Sequence, residues 1–215
     1  MVKKILWLTL FGIAFACVES IVVVYLRALY YPNGFVFPLE ILSPVHVPIE
    51  IVREAATILM LISVAVLAAR TREEFGAFFF FNFGIWDLFY YIWLKVFLGW
   101  PPSILTWDLL FLIPIPWVSP VLAPVLVSLL FITVSFLLLY YHSRGHRFWP
   151  TWPEWAVVFL SASTILVTFM IDLKKIRAFQ HPGPYPWLLF VFGFVLGVLV
   201  FIRFLKRAVF SEKTA

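Results

Sequence analysis

The chain has 215 residues, 64% of them hydrophobic and 13% charged, with a formal net charge of +5 and a mean hydropathy of +1.03. A soluble domain is roughly half apolar and about a quarter charged, so a sizeable soluble domain is excluded and an all-α integral membrane protein is indicated, one polytopic membrane domain over residues 1–215. The basic surplus is no nucleic-acid footprint, because no basic stripe alternates with polar aromatic segments, and the lone Cys17 permits no intrachain disulfide.

Met1-Val2-Lys3-Lys4 followed by Ile5 to Ala16 imitates a secretory signal, and Ala14-Phe15-Ala16-Cys17 resembles a lipoprotein cleavage site. The apolar run continues from Val18 to Leu26, too long for a signal core, so an uncleaved first span is expected. Six segments are long enough to cross ~30 Å of hydrocarbon: roughly 5–29, 48–69, 76–98, 120–141, 154–172 and 186–205. Turn chemistry separates them at Tyr31-Pro32-Asn33-Gly34, at Arg70 to Glu74, at Gly99-Trp100-Pro101-Pro102, at Ser143 to His146 and at His181-Pro182-Gly183-Pro184. Trp7, Trp100, Trp149, Trp152 and Trp187 fall near span ends, where an aromatic belt belongs.

Orientation follows from the basic residues. With the N-terminus inside, Lys3, Lys4, Arg70, Arg72, Arg144, Arg147, Arg203, Lys206, Arg207 and Lys213 are inside, ten of the 16. Arg27, Arg53, Lys95, Lys174, Lys175 and Arg177 fall in the outer half, the last three against the rule. Both termini are therefore expected in the cytoplasm, in a prokaryotic plasma (inner) membrane. Counting Ile104 to Val118 as a seventh crossing worsens this balance. Those fifteen residues would span only ~22 Å as a helix, interrupted by Pro114 and Pro116. A re-entrant or interfacial segment between spans 3 and 4 is expected instead, with Thr106 as an N-cap and Asp108 in a first turn. Phe35 to Val47 is equally apolar and carries Pro38 and Pro44, so the two loops together read as a lid packed on protein.

The polar residues of the spans carry the functional signal, since ionisable groups in hydrocarbon are costly and mark sites. Helical rise places Glu19 and Glu54 each ~9 Å below the outer edge and Asp87 near the midplane, ~15 Å deep. Glu50 and Glu54 share a helix face at i, i+4, extended inward by Thr57, and Asp87 shares one with Tyr90 and Tyr91. The expected binding site is therefore Glu19, Glu50, Glu54 and Asp87, supported by Arg27, Arg53, Tyr91, Lys95 and Asp108. A packing role competes. Seven outer-half acids (Glu19, Glu40, Glu50, Glu54, Asp87, Asp108 and Asp172) face the six outer bases and could be neutralised by them. Glu50 also follows Pro48 in a first helical turn, where the helix dipole favours an acid.

If a metal ion is held, Glu19, His46, Glu50, Glu54 and Asp87 form the candidate set, oxygen-dominated and hard. Glu-x-x-His pairs of the di-iron type are missing. His142 and His146 have helical spacing, but Gly145 intervenes and both sit at the inner edge. No haem is expected, for want of facing histidines. Gly193 and Gly197 form a GxxxG step through which helices, or subunits of an oligomer, could approach closely, and Gly12 with Ala16 does the same on the first span. Trp107, Trp117 and Tyr91 could line an apolar pocket.

Three readings follow. The first is a transporter- or channel-like protein binding or conducting a small cation or protons through a buried carboxylate site. The second is a membrane-embedded enzyme, metal-dependent or not, acting on a lipophilic substrate. The third is an accessory subunit of a larger membrane complex. The first is preferred because acids facing a bundle interior usually mark ion or proton paths.

Overall fold

The computed structural model describes residues 1–40, 43–146 and 149–210. Ile41 and Leu42 of the first apolar loop, and Arg147 and Lys213 of the basic count, lie outside the described residues. The fold is mostly helical: α1 (Val2–Tyr30), α2 (His46–Ala68), α3 (Arg72–Leu98), α4 (Leu122–His142), α5 (Trp152–Met170), a one-turn α6 (Leu173–Arg177) and α7 (Trp187–Phe210). Six are long and apolar enough to cross a membrane, with α6 continuing the stretch begun by α5. They fall on the six segments read from hydropathy.

Local chemistry sets their ends. Thr71 accepts from the Glu74 amide at 3.2 Å and opens α3, while Gly99, at φ 65°, closes it with its amide on the Lys95 carbonyl. Thr151 and Glu154 form a capping box at the start of α5, and Glu154 also takes Arg207 of α7 at 2.7 Å.

α3 is the central helix, packed on α1, α2 and α4; α4 hands on to α7, and α7 to α5. Glycine permits the closest approaches. A Cβ on Gly84 would stand 2.7 Å from the Ser128 carbonyl oxygen, and one on Gly12 would stand 2.8 Å from Asn82 Oδ1. Gly193 and Gly197, read as a close-approach step, face Thr164, Ile165 and Ser161 of α5 within this chain, and Ser161 donates to the Gly193 carbonyl at 2.8 Å.

The segment between α3 and α4 departs from expectation. It holds not the helix that an N-cap at Thr106 implies but a hairpin of β1 (Trp107–Phe111) and β2 (Trp117–Pro120), antiparallel, with an irregularity between Leu109 and Phe111. Its ends meet: Leu122 donates to the Ile104 carbonyl at 2.8 Å and Val121 to that of Thr106 at 3.0 Å. Thr106 thus caps no helix, and Asp108 lies in a strand rather than a first helical turn. The cause is local. Pro114 and Pro116 deny a helix its donors, whereas Trp107 to Phe111 and Trp117-Val118 suit a pleated surface.

Candidate functional site

The buried stripe of α2 runs Glu50, Glu54, Thr57, Leu61, Ala65, and that of α1 runs Leu8, Gly12, Phe15, Ala16, Glu19, Ser20, Arg27. Helical periodicity makes each a single inward face. Both faces are apolar at one end of the bundle and charged at the other. The charged end surrounds a cavity of about 710 Å³ that runs from the loop residues Leu39 and Glu40 down to Asp87, Ser128 and Phe131. Glu19, Glu50, Glu54, Asp87, Arg27, Arg53, Tyr91 and Asp108 all line it.

These groups are not equivalent. Arg53 bridges Glu19 and Glu50, meeting Glu50 at 2.8 Å, and Thr57 donates to the second Glu19 oxygen at 3.1 Å. Arg27 pairs with Asp108 at 2.9 Å, both being buried, and its guanidinium lies 3.8 Å from the Trp100 ring centroid and 4.4 Å from that of Phe35. Burial pushes the Asp108 carboxyl up from its ordinary range, and the Arg27 charge opposes this.

Glu54 has a different task. Both its oxygens accept the Leu112 amide at 2.9 Å, and Oε2 accepts that of Ile113 at 3.1 Å. Leu112 to Pro116 form the hairpin turn. Its two prolines have no N–H, so one carboxylate takes two of the three remaining donors. Glu54 is eight residues into α2, placing the turn ~12 Å along that helix from its start. Phe111 packs there against Trp86, with ring centroids 6.2 Å apart.

Asp87 is the exception. It accepts from Ser128 at 2.7 Å, and among the described residues no base forms an ion pair with it. It lies deep between α3 and α4 yet is only half-buried, so its remaining surface faces the cavity. In all, six carboxylates (Glu19, Glu40, Glu50, Glu54, Asp87, Asp108) and three guanidiniums (Arg27, Arg53, Arg177) line the space.

Two expected residues lie elsewhere. Lys95 is no part of the lining; it donates to the carbonyls of Gly99 and Pro101, both at 2.9 Å, and finishes the C-terminus of α3. His46 bonds the Tyr30 hydroxyl and is not in the lining either. Among the described residues no three His, Cys, Asp or Glu side chains gather as a metal ion would need, so the conditional metal set is not assembled. Of the three aromatics read as pocket-forming, Trp117 and Tyr91 line the cavity and Trp107 does not.

Sequence reasoning missed one whole wall. Val127, Ser128 and Phe131 of α4 and Ala162, Ile165, Leu166 and Phe169 of α5 also line the cavity. Ser128, a polar residue within a strongly apolar span, was the one readable signal. No family model, curated protein or solved structure matches this chain.

Proposed function

We propose that this polytopic protein binds a cation or protons in the acid-lined cavity, as a transporter- or channel-like protein does, with both termini cytoplasmic and the cavity open to the outer face. The observation that carries the proposal is Asp87, a carboxylate within the bundle that faces the cavity and has no base paired with it among the described residues. The excess of carboxylates over guanidiniums around it gives the space a cation-attracting field. Intramembrane acids of this kind mark ion and proton pathways.

Reconstitution in liposomes tests this. An imposed sodium, potassium or pH gradient should drive flux through the wild type. Asp87→Asn should lower that flux at least ~10-fold while melting like the wild type, since the amide oxygen still accepts from Ser128. A wild type with no flux and no cation- or pH-dependent change in melting would remove the proposal. The ion pairs of Arg27 and Arg53 favour a second reading, a subunit whose polar layer serves assembly; a stoichiometric partner co-purifying from the membrane would establish it.

A further inference from the structure

The cavity is far larger than a bare ion requires. At about 710 Å³ it would hold roughly twenty waters at ~30 Å³ each, and it falls in the range of small-molecule pockets, which are mostly apolar with a few placed polar groups. Its two sides are chemically opposed. α1 and α2 contribute Glu19, Arg27, Glu50, Arg53 and Glu54, whereas every lining residue of α5 is apolar. A pathway built for hydrated ions would be wet on all sides.

The deep end combines one carboxylate with a run of aromatic rings. Phe83 lies 5.9 Å from Phe131 and 5.4 Å from Trp86, and beyond Trp86 the rings of Phe111 and Trp117 follow at 6.2 Å and 5.6 Å. Asp87 opens onto this floor from the same helix as Phe83 and Trp86. Aromatic faces attract cations, most strongly when desolvated, and together with a carboxylate they suit substituted ammonium or phosphonium groups better than sodium.

The flank between α2 and α5 is the third observation. α2 packs on α3, and α5 packs on α7 and β2, but among the described residues no run of packing joins α2 to α5. Half-buried Arg53 of α2 and exposed Ala162 of α5 both line the cavity. In a bilayer that flank faces acyl chains.

Resting on the cation-binding reading, we propose that the occupant is an amphiphilic organic cation, its charged group against Asp87 and the aromatic floor, its apolar body along α5, entering from the bilayer between α2 and α5. The charged wall repels an anion of the same shape, and the apolar wall gives a small inorganic cation nothing to displace water for.

The test uses purified full-length protein in detergent, radiolabelled tetraphenylphosphonium as the probe, and tetraphenylborate, nearly the same shape with opposite charge, as the control. Expected is saturable phosphonium binding that sodium or tetraphenylborate at equal concentration does not displace. It should weaken at least ~10-fold in Asp87→Asn. It should weaken as much in Ala162→Trp, which fills the flank without altering any charged group, and this second variant keeps the test valid if the first fails to fold. Melting of each variant is read alongside. If phosphonium does not bind while sodium or pH alone shifts melting through Asp87, the amphiphile is refuted and the simple cation site stands. If tetraphenylborate binds as well as phosphonium, or nothing binds and no cation or pH effect is seen, both fall. Equal phosphonium binding in wild type and variants would show partition into detergent alone and refute the inference.

Discussion

Where α1 begins and α2 ends, Leu8, Ala65, Ala77, Phe78, Phe81 and Leu139 close an apolar core beside a smaller groove of about 400 Å³ between α1 and α2, and charge is confined to the rim. Lys4 there donates to the Ala68 carbonyl at 2.6 Å and reaches Glu74 at 3.5 Å. At the opposite end the same inward stripes carry Glu19, Arg27, Glu50 and Glu54, and the helices stand apart around a hairpin and a cavity. The contrast teaches that inward charge in this bundle serves two ends. Most of it ties helices to one another or holds the hairpin in place, whereas Asp87, bonded to Ser128, faces the cavity with no base beside it among the described residues.

That division can be broken by mutation. The largest effect is expected at Asp108. Asp108→Leu leaves Arg27 buried without its partner and should cost about 3–5 kcal/mol, read by denaturant unfolding in mixed micelles. Adding Arg27→Met should restore most of the loss, because a buried pair is worth little more than apolar residues of similar volume. Failure of the double variant to recover would assign the pair a task beyond packing.

Glu54→Ala should come next, at about 2–3 kcal/mol, by stranding the Leu112 and Ile113 amides. Glu54→Gln, which keeps one acceptor oxygen, should lose about half as much. An unaltered Glu54→Ala would mean that the hairpin turn has other support, and Glu54 would rejoin Asp87 as a free acid.

The smallest effect is expected in the apolar half. Gly12→Ala places a methyl group 2.8 Å from the side chains of Asn82 and Ile85, at a cost of about 1 kcal/mol once the better helix propensity of alanine is set against the crowding. A neutral result would show that the α1–α3 contact yields more easily than its spacing implies.

Much of this was legible in the residues. The six apolar helices, their turn signals and the inward stripe of Glu50, Glu54 and Thr57 follow from hydropathy and a period of 3.6, which act locally. The depth count placed Glu19, Glu54 and Asp87 at similar heights, since helical rise converts residue number into distance, and all three line the cavity. It could not tell them apart. Lys95 and His46 looked equivalent to the lining residues because depth fixes only one coordinate; rotation about the helix axis and the reach of local acceptors fix the rest.

The sequence by itself determined the hydrophobic length of each helix, the face each turns inward and the place of its charges along the helix axis, because these depend on near neighbours along one chain. Only the tertiary structure decided which acid met which partner: Arg53 with Glu19 across two helices, Glu54 with a turn 58 residues away, Asp108 with Arg27 across 81 residues. It also placed the apolar residues of α5 opposite those charges, a juxtaposition no local period encodes. Partner choice is a matter of three-dimensional proximity, and that Asp87 meets a hydroxyl and no base among the described residues is visible only once the helices are packed.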